Sequence, residues 1–238
     1  MKVLITSGGT KIPIDSVRDI TNMSTGTFGS KIAEECLNNN HSVHFIRAKD
    51  SKSPMRFTVD FNKQSSLQDL YDKIPERMDW KSRYTESEYK TFEQYERCLQ
   101  FGITGENPDV VVLAAAVSDY HVAKPMNGKF RSNDMLNIKL ESLPKLINKV
   151  KGIWSPNVKL VGFKLLVGSI RNELIAAARK SIVENGCDMV VANDLEHIKS
   201  NKHKVLLVFP NDKVLEYDSD PNDPNFLAKV VVKHVELL

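Results

Sequence analysis

Cysteine is scarce: Cys36, Cys98 and Cys187 are scattered and odd in number, with no C-x-x-C pair. That excludes a disulfide framework and a thiolate zinc site, and makes a reducing cytoplasm the expected setting. Long apolar runs are missing too. None approaches the roughly 20 residues that span a bilayer, and Met1 leads into a short apolar run with no signal-peptide core, so no membrane partner is expected. Nor is there an excess of one charge: 33 Lys and Arg against 30 Asp and Glu leave a net +3. So even a balance is not the footprint of a nucleic-acid binder; a small anion held by a few placed cations is the expected ligand. No G-K-[ST] occurs, which excludes a P-loop. Repeats, low-complexity tracts and a recognisable linker are also lacking. The 238 residues therefore read as one α/β domain, 1–238, long enough to bury a sizeable core. The six His are scattered, and His197 and His203, flanking a loop, read as solvated loop histidines rather than metal ligands.

What the chain does have is a concentrated stretch from Leu4 to Gly29. Lys2 to Thr6 is a short apolar run bounded by Ser7-Gly8-Gly9, the pattern of a buried strand ending in a glycine turn. The Pro13-containing connector from Thr10 to Thr21 is long for a βα turn, where about 2–6 residues are usual. Ser24-Thr25-Gly26-Thr27-Phe28-Gly29 then supplies a G-x-x-G ahead of a helix with Ile32, Ala33, Cys36 and Leu37 on one face. Glycine lets backbone approach a ligand closely, and the first N–H groups of a helix are unpaired donors at its positive end. Two glycine turns meeting a strand end and a helix start predict phosphate binding.

Downstream, Val43 to Ala48 reads as a second strand, 56–61 as a short strand on the alternation of Phe57, Val59 and Phe61, and the stretch from Ser66 as helical. Glu86 to Leu99 places Tyr89, Phe92, Tyr95 and Leu99 near helical spacing, an aromatic face packed on a sheet rather than a nucleic-acid stripe. Val110 to Ala116 is a continuous apolar run of parallel-strand type. It ends in Val117-Ser118-Asp119-Tyr120, at the carboxyl edge where such sheets bind ligands. Lys124 to Lys129 is a Gly/Pro loop rich in cations. Asn137 to Leu140 and Leu160 to Lys164 read as strands, Pro144 to Val150 as helical, and a helix follows Gly168-Ser169. Met189 to Ala192 is a strand ending in Asn193-Asp194. Val205 to Phe209 and Val214 to Tyr217 read as an antiparallel hairpin, and Phe226 to Leu238 as a closing helix. The alternation predicts a doubly wound, mostly parallel Rossmann-like α/β sheet with an antiparallel hairpin extension.

Tyr120-His-Val-Ala-Lys124 is a Y-x-x-x-K, the pair of short-chain dehydrogenases, and Arg47 ends a strand where a nicotinamide cofactor's 2′-phosphate would lie. In that class the pair shares one long helix, whereas here Tyr120 follows a strand and Pro125 disfavours helix at Lys124. A non-catalytic nucleotide-binding module is the other alternative.

Taken in order, Thr6-Ser-Gly-Gly-Thr10, Ile14-Asp-Ser-Val-Arg18, Thr21-Asn22-x-Ser24-Thr-Gly26-x-x-Gly29, Ala114-Ala-Ala-Val-Ser-Asp119-Tyr120, Gly162-Phe163-Lys164-Leu165 and Ala192-Asn193-Asp194 resemble the blocks of phosphopantothenate–cysteine ligases. The resemblance runs from about Lys2 to Phe209. It implies ligation of 4′-phosphopantothenate to cysteine through an acyl-nucleotide, with CTP favoured over ATP and Mg²⁺ as the metal. By the same resemblance Gly8, Ser24, Gly26 and Gly29 would line the triphosphate, and Phe163 and Asn193 would sit near base and ribose. Asp119 would contact ligand, while Asn22, Ala115 and Ala116 would hold the pantothenate amide and acyl group. Lys129 would be the catalytic Lys of a mobile loop. Arg18 would reach the substrate phosphate of the neighbouring subunit in a homodimer; the alternative is a monomer with Arg18 paired to Asp15 or Asp19 on the surface. Two blocks depart from the pattern: Lys129-Phe130-Arg131-Ser132 replaces the K-x-K-K of fused bacterial members, and Gly162-Phe163-Lys164-Leu165-Leu166 replaces G-F-A-A-E-T. Many bacteria fuse this ligase behind a flavin-dependent decarboxylase; since the chain starts at the ligase's first strand, no decarboxylation is expected.

Overall fold

The computed structural model describes residues 1–56, 62, 64–133, 135–199 and 203–238. The strand expected over 56–61 falls almost wholly outside these residues. At the centre lies β1 (Lys2–Ser7), buried from Val3 onward. Val3 and Ile5 join one core and Leu4 the other, as a strand covered on both faces requires. Around it run the paired strands β2 (Lys11–Pro13) and β3 (Asp19–Thr21), helix α1 (Thr27–Asn38), β4 (Ser42–Ala48), α2 (Gln64–Trp80), β5 (Tyr84–Tyr89), α3 (Phe92–Glu106) and β6 (Val110–Leu113). Then come β7 (Tyr120–Val122), β8 (Leu140–Ser142), the single turn α4 (Ile147–Lys149) continued by a π-turn over Val150–Trp154, β9 (Lys159–Leu166) and α5 (Arg171–Asn185). The chain ends with β10 (Met189–Asp194), α6 (Leu195–Lys199), β11 (Lys204–Val208), β12 (Val214–Asp218) and α7 (Phe226–Val235).

Eight strands form one sheet in the order β12-β11-β10-β9-β6-β1-β4-β5. Pairing is parallel from β10 through to β5 and antiparallel for β10–β11 and β11–β12, as the doubly wound reading with its hairpin extension requires. The chain steps outward from β1 through β4 to β5, then returns to the other side of β1 through β6. The switch point lies between β1 and β6, where such sheets open a crevice at their carboxyl ends. Helices α1 and α7, with Trp80 of α2, cover one face, and α3 and α5 cover the other. Among the described residues no helix is long and apolar enough to cross a membrane, and Cys36, Cys98 and Cys187 are free.

Three elements differ from expectation. Tyr89 is not on a helix: residues through Tyr89 stay in β5 alongside β4, and α3 starts only at Phe92. The reason is a capping box, in which the Gln94 N–H donates to Thr91 Oγ1 at 3.4 Å and the Thr91 N–H to Gln94 Oε1 at 3.3 Å. The Thr10–Thr21 connector is a β-hairpin, pairing Lys11 with Thr21 and Pro13 with Asp19. Of 137–140 only Leu140 is in a strand, β8, paired with β7. Both small sheets stand beyond the carboxyl edge. Backbone bonds Ala116 N to Gly8 O (2.7 Å) and Thr10 N to Ala116 O (3.3 Å) carry the β1–β6 pairing past the sheet into that region.

Candidate active site

Gly8, Gly26 and Gly29 are buried, and their glycine identity is explained by protein packing. Gly8 (φ 84°) and Gly26 (φ 72°) are left-handed, and a Cβ on either would lie 2.7–2.8 Å from the Cβ of Ser51. These turns wedge the loop after β4 and the end of β1 under α1, clamped by Ser7 Oγ donating to Gly26 O at 3.0 Å. The consequence is an open helix start. Gly26 gives helix α1 no side-chain cap and its first turn holds no acidic residue. Apart from the Thr27 N–H, which reaches Thr25 Oγ1 at 3.4 Å, the first N–H groups therefore have no side-chain acceptor and carry the positive end of the helix dipole. Ser24 is half-buried beside it, its N–H donating to Asn22 O at 2.9 Å. Two cations missed in the sequence flank this start: Lys31, one turn into α1, and Lys52, whose N–H donates to Thr25 O at 3.0 Å. Burial pushes the Lys31 ammonium below its ordinary pKa, and the charge of Lys52 lowers it further against the opposing pull of Glu34.

At the β6 end, Asn22 Nδ2 donates to Ala116 O at 3.0 Å, so Asn22 and the half-buried Ala115 and Ala116 share one wall. Thr6 Oγ1 accepts from the Ala115 N–H at 3.2 Å and Thr10 Oγ1 from the Ser118 N–H at 2.8 Å, fixing the segment that leads to Asp119. Asp119 is exposed and ion-paired with Lys145. Arg18 sits in the distal turn of the β2–β3 hairpin, its Nη1 3.1 Å from Asp15 Oδ2. That pairing is not a surface one, because the Asp15 carboxylate is buried. Asp19 pairs instead with Lys90 at 3.1 Å. The exposed Lys129 lies in the loop bonded to this turn.

Toward β9 and β10, Phe28 of α1 stacks edge-on against Phe163 (centroids 5.9 Å apart, 77°) and His203 (5.3 Å, 67°). Asn193 Nδ2 lies 3.4 Å from His203 Nε2. His203 is therefore not a solvated loop histidine: it is half-buried, and burial followed by the Lys31 charge lowers its pKa, leaving a neutral ring at neutral pH. His197 is exposed, as expected. Asp194 is pinned by the Ser169 N–H and Oγ, each at 2.8 Å, and by the Glu196 N–H. Those bonds, outweighing burial, hold its pKa at about 2. A cavity of about 160 Å³ beside Asp194, lined also by Ser169, Arg171, Ala192, Lys204 and Glu216, has its cations paired to Glu216.

The dehydrogenase alternative loses both supports. Tyr120 lies in β7 and Lys124 in the bend beyond it. Arg47 is fully buried, spending Nη1 on the carbonyls of Ala48, Lys49 and Ser51 (2.8–3.0 Å) and pairing with Glu86 and Glu88, so it offers no donor to a ribose phosphate. Among the described residues no group of three or more His, Cys, Asp or Glu gathers as a metal site.

Residues 1–84 and 99–237 match the family described as DNA/pantothenate metabolism flavoprotein C-terminal domain. The chain is 37% identical over 207 residues to the coenzyme A biosynthesis bifunctional protein CoaBC of Thermococcus kodakarensis, covering 87% of this chain and 44% of that protein. It is 29% identical over 232 residues to the phosphopantothenate–cysteine ligase of Mus musculus, covering 83% of this chain and 73% of the mouse protein. It thus spans less than half of the CoaBC relative. A solved Cab2 mutant in complex with phosphopantothenate-cysteine is similar in fold with a TM-score of 0.81 at 25% identity, over 99% of this chain and 85% of that one. With its sheet order, its open α1 start and this match over most of its length, the chain belongs to the family of the DNA/pantothenate metabolism flavoprotein C-terminal domain.

Proposed function

We propose that the chain ligates 4′-phosphopantothenate to cysteine through an acyl-nucleotide, releasing pyrophosphate. A carboxylate is a poor acyl donor because its leaving group would be oxide. Nucleotidyl transfer from a triphosphate replaces that group with a nucleoside monophosphate, which the cysteine amine can displace. The observation that carries the reading is the joining, in one crevice, of an uncapped helix start (Gly26 to Gly29) to the Asn22–Ala116 wall, in a family with a solved member holding phosphopantothenate-cysteine.

In this reading the α1 N–H groups, Ser24 and the glycine turns at Gly8, Gly26 and Gly29 receive the triphosphate, with Lys31 and Lys52 neutralising it. Mg²⁺ supplies further charge; it prefers phosphate oxygens and water to an all-protein cage, so it would enter on the nucleotide. Phe163 and Asn193 border base and ribose, joined by Phe28 and a neutral His203. CTP is the proposed nucleotide and ATP the alternative. Asn22 and the Ala115–Ala116 backbone orient the acyl centre, Asp119 contacts ligand, Lys129 stabilises the charge developing at phosphorus, and Arg18 binds the substrate phosphate as a bidentate fork. We further propose a homodimer in the cytoplasm, with Arg18 serving the neighbouring site. In support, Val17, Ile20 and Met23 on and beside the hairpin and Leu136, Ile138 and Leu140 leading into β8 are exposed apolar groups on elements bearing the site, which a second subunit seated there would cover.

The test is pyrophosphate release with 4′-phosphopantothenate, run with CTP and ATP in turn. Lys129→Gln abolishes release, whereas Asn22→Asp still releases pyrophosphate and accumulates acyl-nucleotide. Release indifferent to 4′-phosphopantothenate would reject the reading, better turnover with ATP would reverse the nucleotide choice, and both variants stalling at one step would reject the division of roles.

A further inference from the structure

The hairpin turn carrying Arg18 and the loop carrying Lys129 are far apart in sequence but bonded along their length. Met126 N donates to Ile14 O at 3.0 Å, and Ser16 N to Gly128 O at 2.9 Å. Gly128 N donates back to Ser16 Oγ at 3.0 Å. The ladder ends on one buried carboxylate. Asp15 Oδ1 accepts from the N–H groups of Val17 (2.9 Å) and Arg18 (2.8 Å), while Oδ2 accepts from Arg18 Nη1 (3.1 Å) and the Phe130 N–H (3.2 Å). A single side chain, shielded from water, thus fixes the Arg18 backbone, its guanidinium and the residue after Lys129. Although burial opposes its charge, these N–H groups and Arg18 hold Asp15 below the ordinary carboxylate pKa, so the ionised acceptor is the resting form at neutral pH.

We infer that Asp15 is a positioning residue that latches the Lys129 loop to the Arg18 turn, so that phosphate capture by Arg18 and closure of the loop are coupled. The coupling rests on the ligase reading; the latch itself does not. An isolated ion pair on a turn would need only Arg18, and the loop would then move independently. Because Oδ2 is shared between Nη1 and the Phe130 N–H, any displacement of the guanidinium toward a phosphate is felt at Phe130. In the proposed dimer Arg18 serves one site and Lys129 the other, so the latch runs between the two sites.

Tryptic cleavage after Lys129 and Arg131 in the native full chain reads the latch without ligase activity. Asp15→Asn keeps the volume but loses the charge and turns an acceptor toward its neighbours as a donor. Its cleavage there should rise tenfold or more, with thermal unfolding monitored as a fold check. Asp19→Asn, which removes a carboxylate from the same hairpin without touching the loop, should leave cleavage unchanged. If Asp15→Asn does not fold, Ser16→Ala decides, with a rise of several-fold expected from losing the Gly128 bond. In kinetics, Arg18→Ala should raise KM for 4′-phosphopantothenate and Lys129→Gln should lower kcat, whereas Asp15→Asn should do both. Adding 4′-phosphopantothenate should change the cleavage rate of the unsubstituted chain but not of Arg18→Ala. Unchanged cleavage in a folded Asp15→Asn or Ser16→Ala variant, or a kinetic effect on only one constant, overturns the latch. Raised cleavage in a chain that never ligates leaves the latch standing and rejects the ligase reading instead.

Discussion

Replacing Gly29 by Ala sets two effects of opposite sign against each other. Gly29 lies in the first turn of α1, where Ala is favoured over Gly by about 1 kcal/mol of helix propensity in a helix interior. Against this, the new methyl would lie 2.5 Å from Ser7 Oγ and 2.8 Å from Ser7 Cβ. Rotating the hydroxyl relieves the first contact but not the second, and it breaks the 3.0 Å bond from Ser7 Oγ to Gly26 O. Ser7 is fully buried, so relief needs a backbone shift. Overpacking of this kind costs about 1–3 kcal/mol, and the lost bond about 0.5–1.5 kcal/mol. Crowding wins, and Gly29→Ala should destabilise by about 1–2 kcal/mol, lowering Tm by roughly 2–8 °C for a chain of this size. Urea unfolding of Gly29→Ala, Ser7→Gly and the double variant tests the cause. If Ser7 is the obstacle, the double variant is more stable than the sum of the singles predicts. A Gly29→Ala chain as stable as the parent, or strict additivity, would refute the argument.

At a 4′-phosphopantothenate concentration well below the raised KM of Arg18→Ala, that variant and Lys129→Gln are each nearly silent alone. Activity should return when they are mixed and allowed to exchange subunits, since one site of the mixed dimer carries neither defect; no recovery from an exchanging dimer would assign Arg18 to its own subunit. Removing Arg47 takes the side-chain donor from three carbonyls while Glu86 and Glu88 keep Arg56 as a partner. Arg47→Met should therefore cost about 1–3 kcal/mol in urea unfolding, and no measurable loss would mean that water already solvates the cluster. Asp194 is held at about 2 against an ordinary 3.8. Its contribution to stability is therefore complete above about pH 4 and drains as pH falls toward 2. Asp194→Asn should be less stable than the parent at pH 7, with the gap closing through that window; a gap independent of pH would reject the assignment.

The inner parallel strands are legible because their apolar runs are nearly continuous, and α1 because Ile32, Ala33, Cys36 and Leu37 share a face; the parallel edge strand β5, Tyr-Thr-Glu-Ser-Glu-Tyr, has no such run. The aromatic spacing of Tyr89, Phe92, Tyr95 and Leu99 points to one helix, but the Thr91–Gln94 capping box, a signal present in the sequence, starts it only at Phe92. The hairpin at Lys11–Thr21 carries none: its strands are three residues each, too short for an alternation to show, and they exist because Gly9, Lys11 and their bonds to Ala116 and Lys90 anchor them. Arg47 looked like a free cation because only the β4–β5 register puts Glu86 and Glu88 beside it. Asp15 gave no local sign of its role, since Phe130 arrives from 115 residues away. His203 likewise depends on Phe28 from another element. The glycines were found for the right place in the fold, yet their need for glycine is met by Ser7 and Ser51, side chains whose closeness only the folded chain reveals.

The most direct test of the central claim is mass-spectrometric detection of the product in a reaction holding the chain, 4′-phosphopantothenate, cysteine, Mg²⁺ and CTP, with ATP in parallel. The account predicts 4′-phosphopantothenoyl-cysteine in equal amount to pyrophosphate and nucleoside monophosphate, and none when cysteine is withheld. Nucleotide turnover with no amide formed, under either nucleotide, would contradict it.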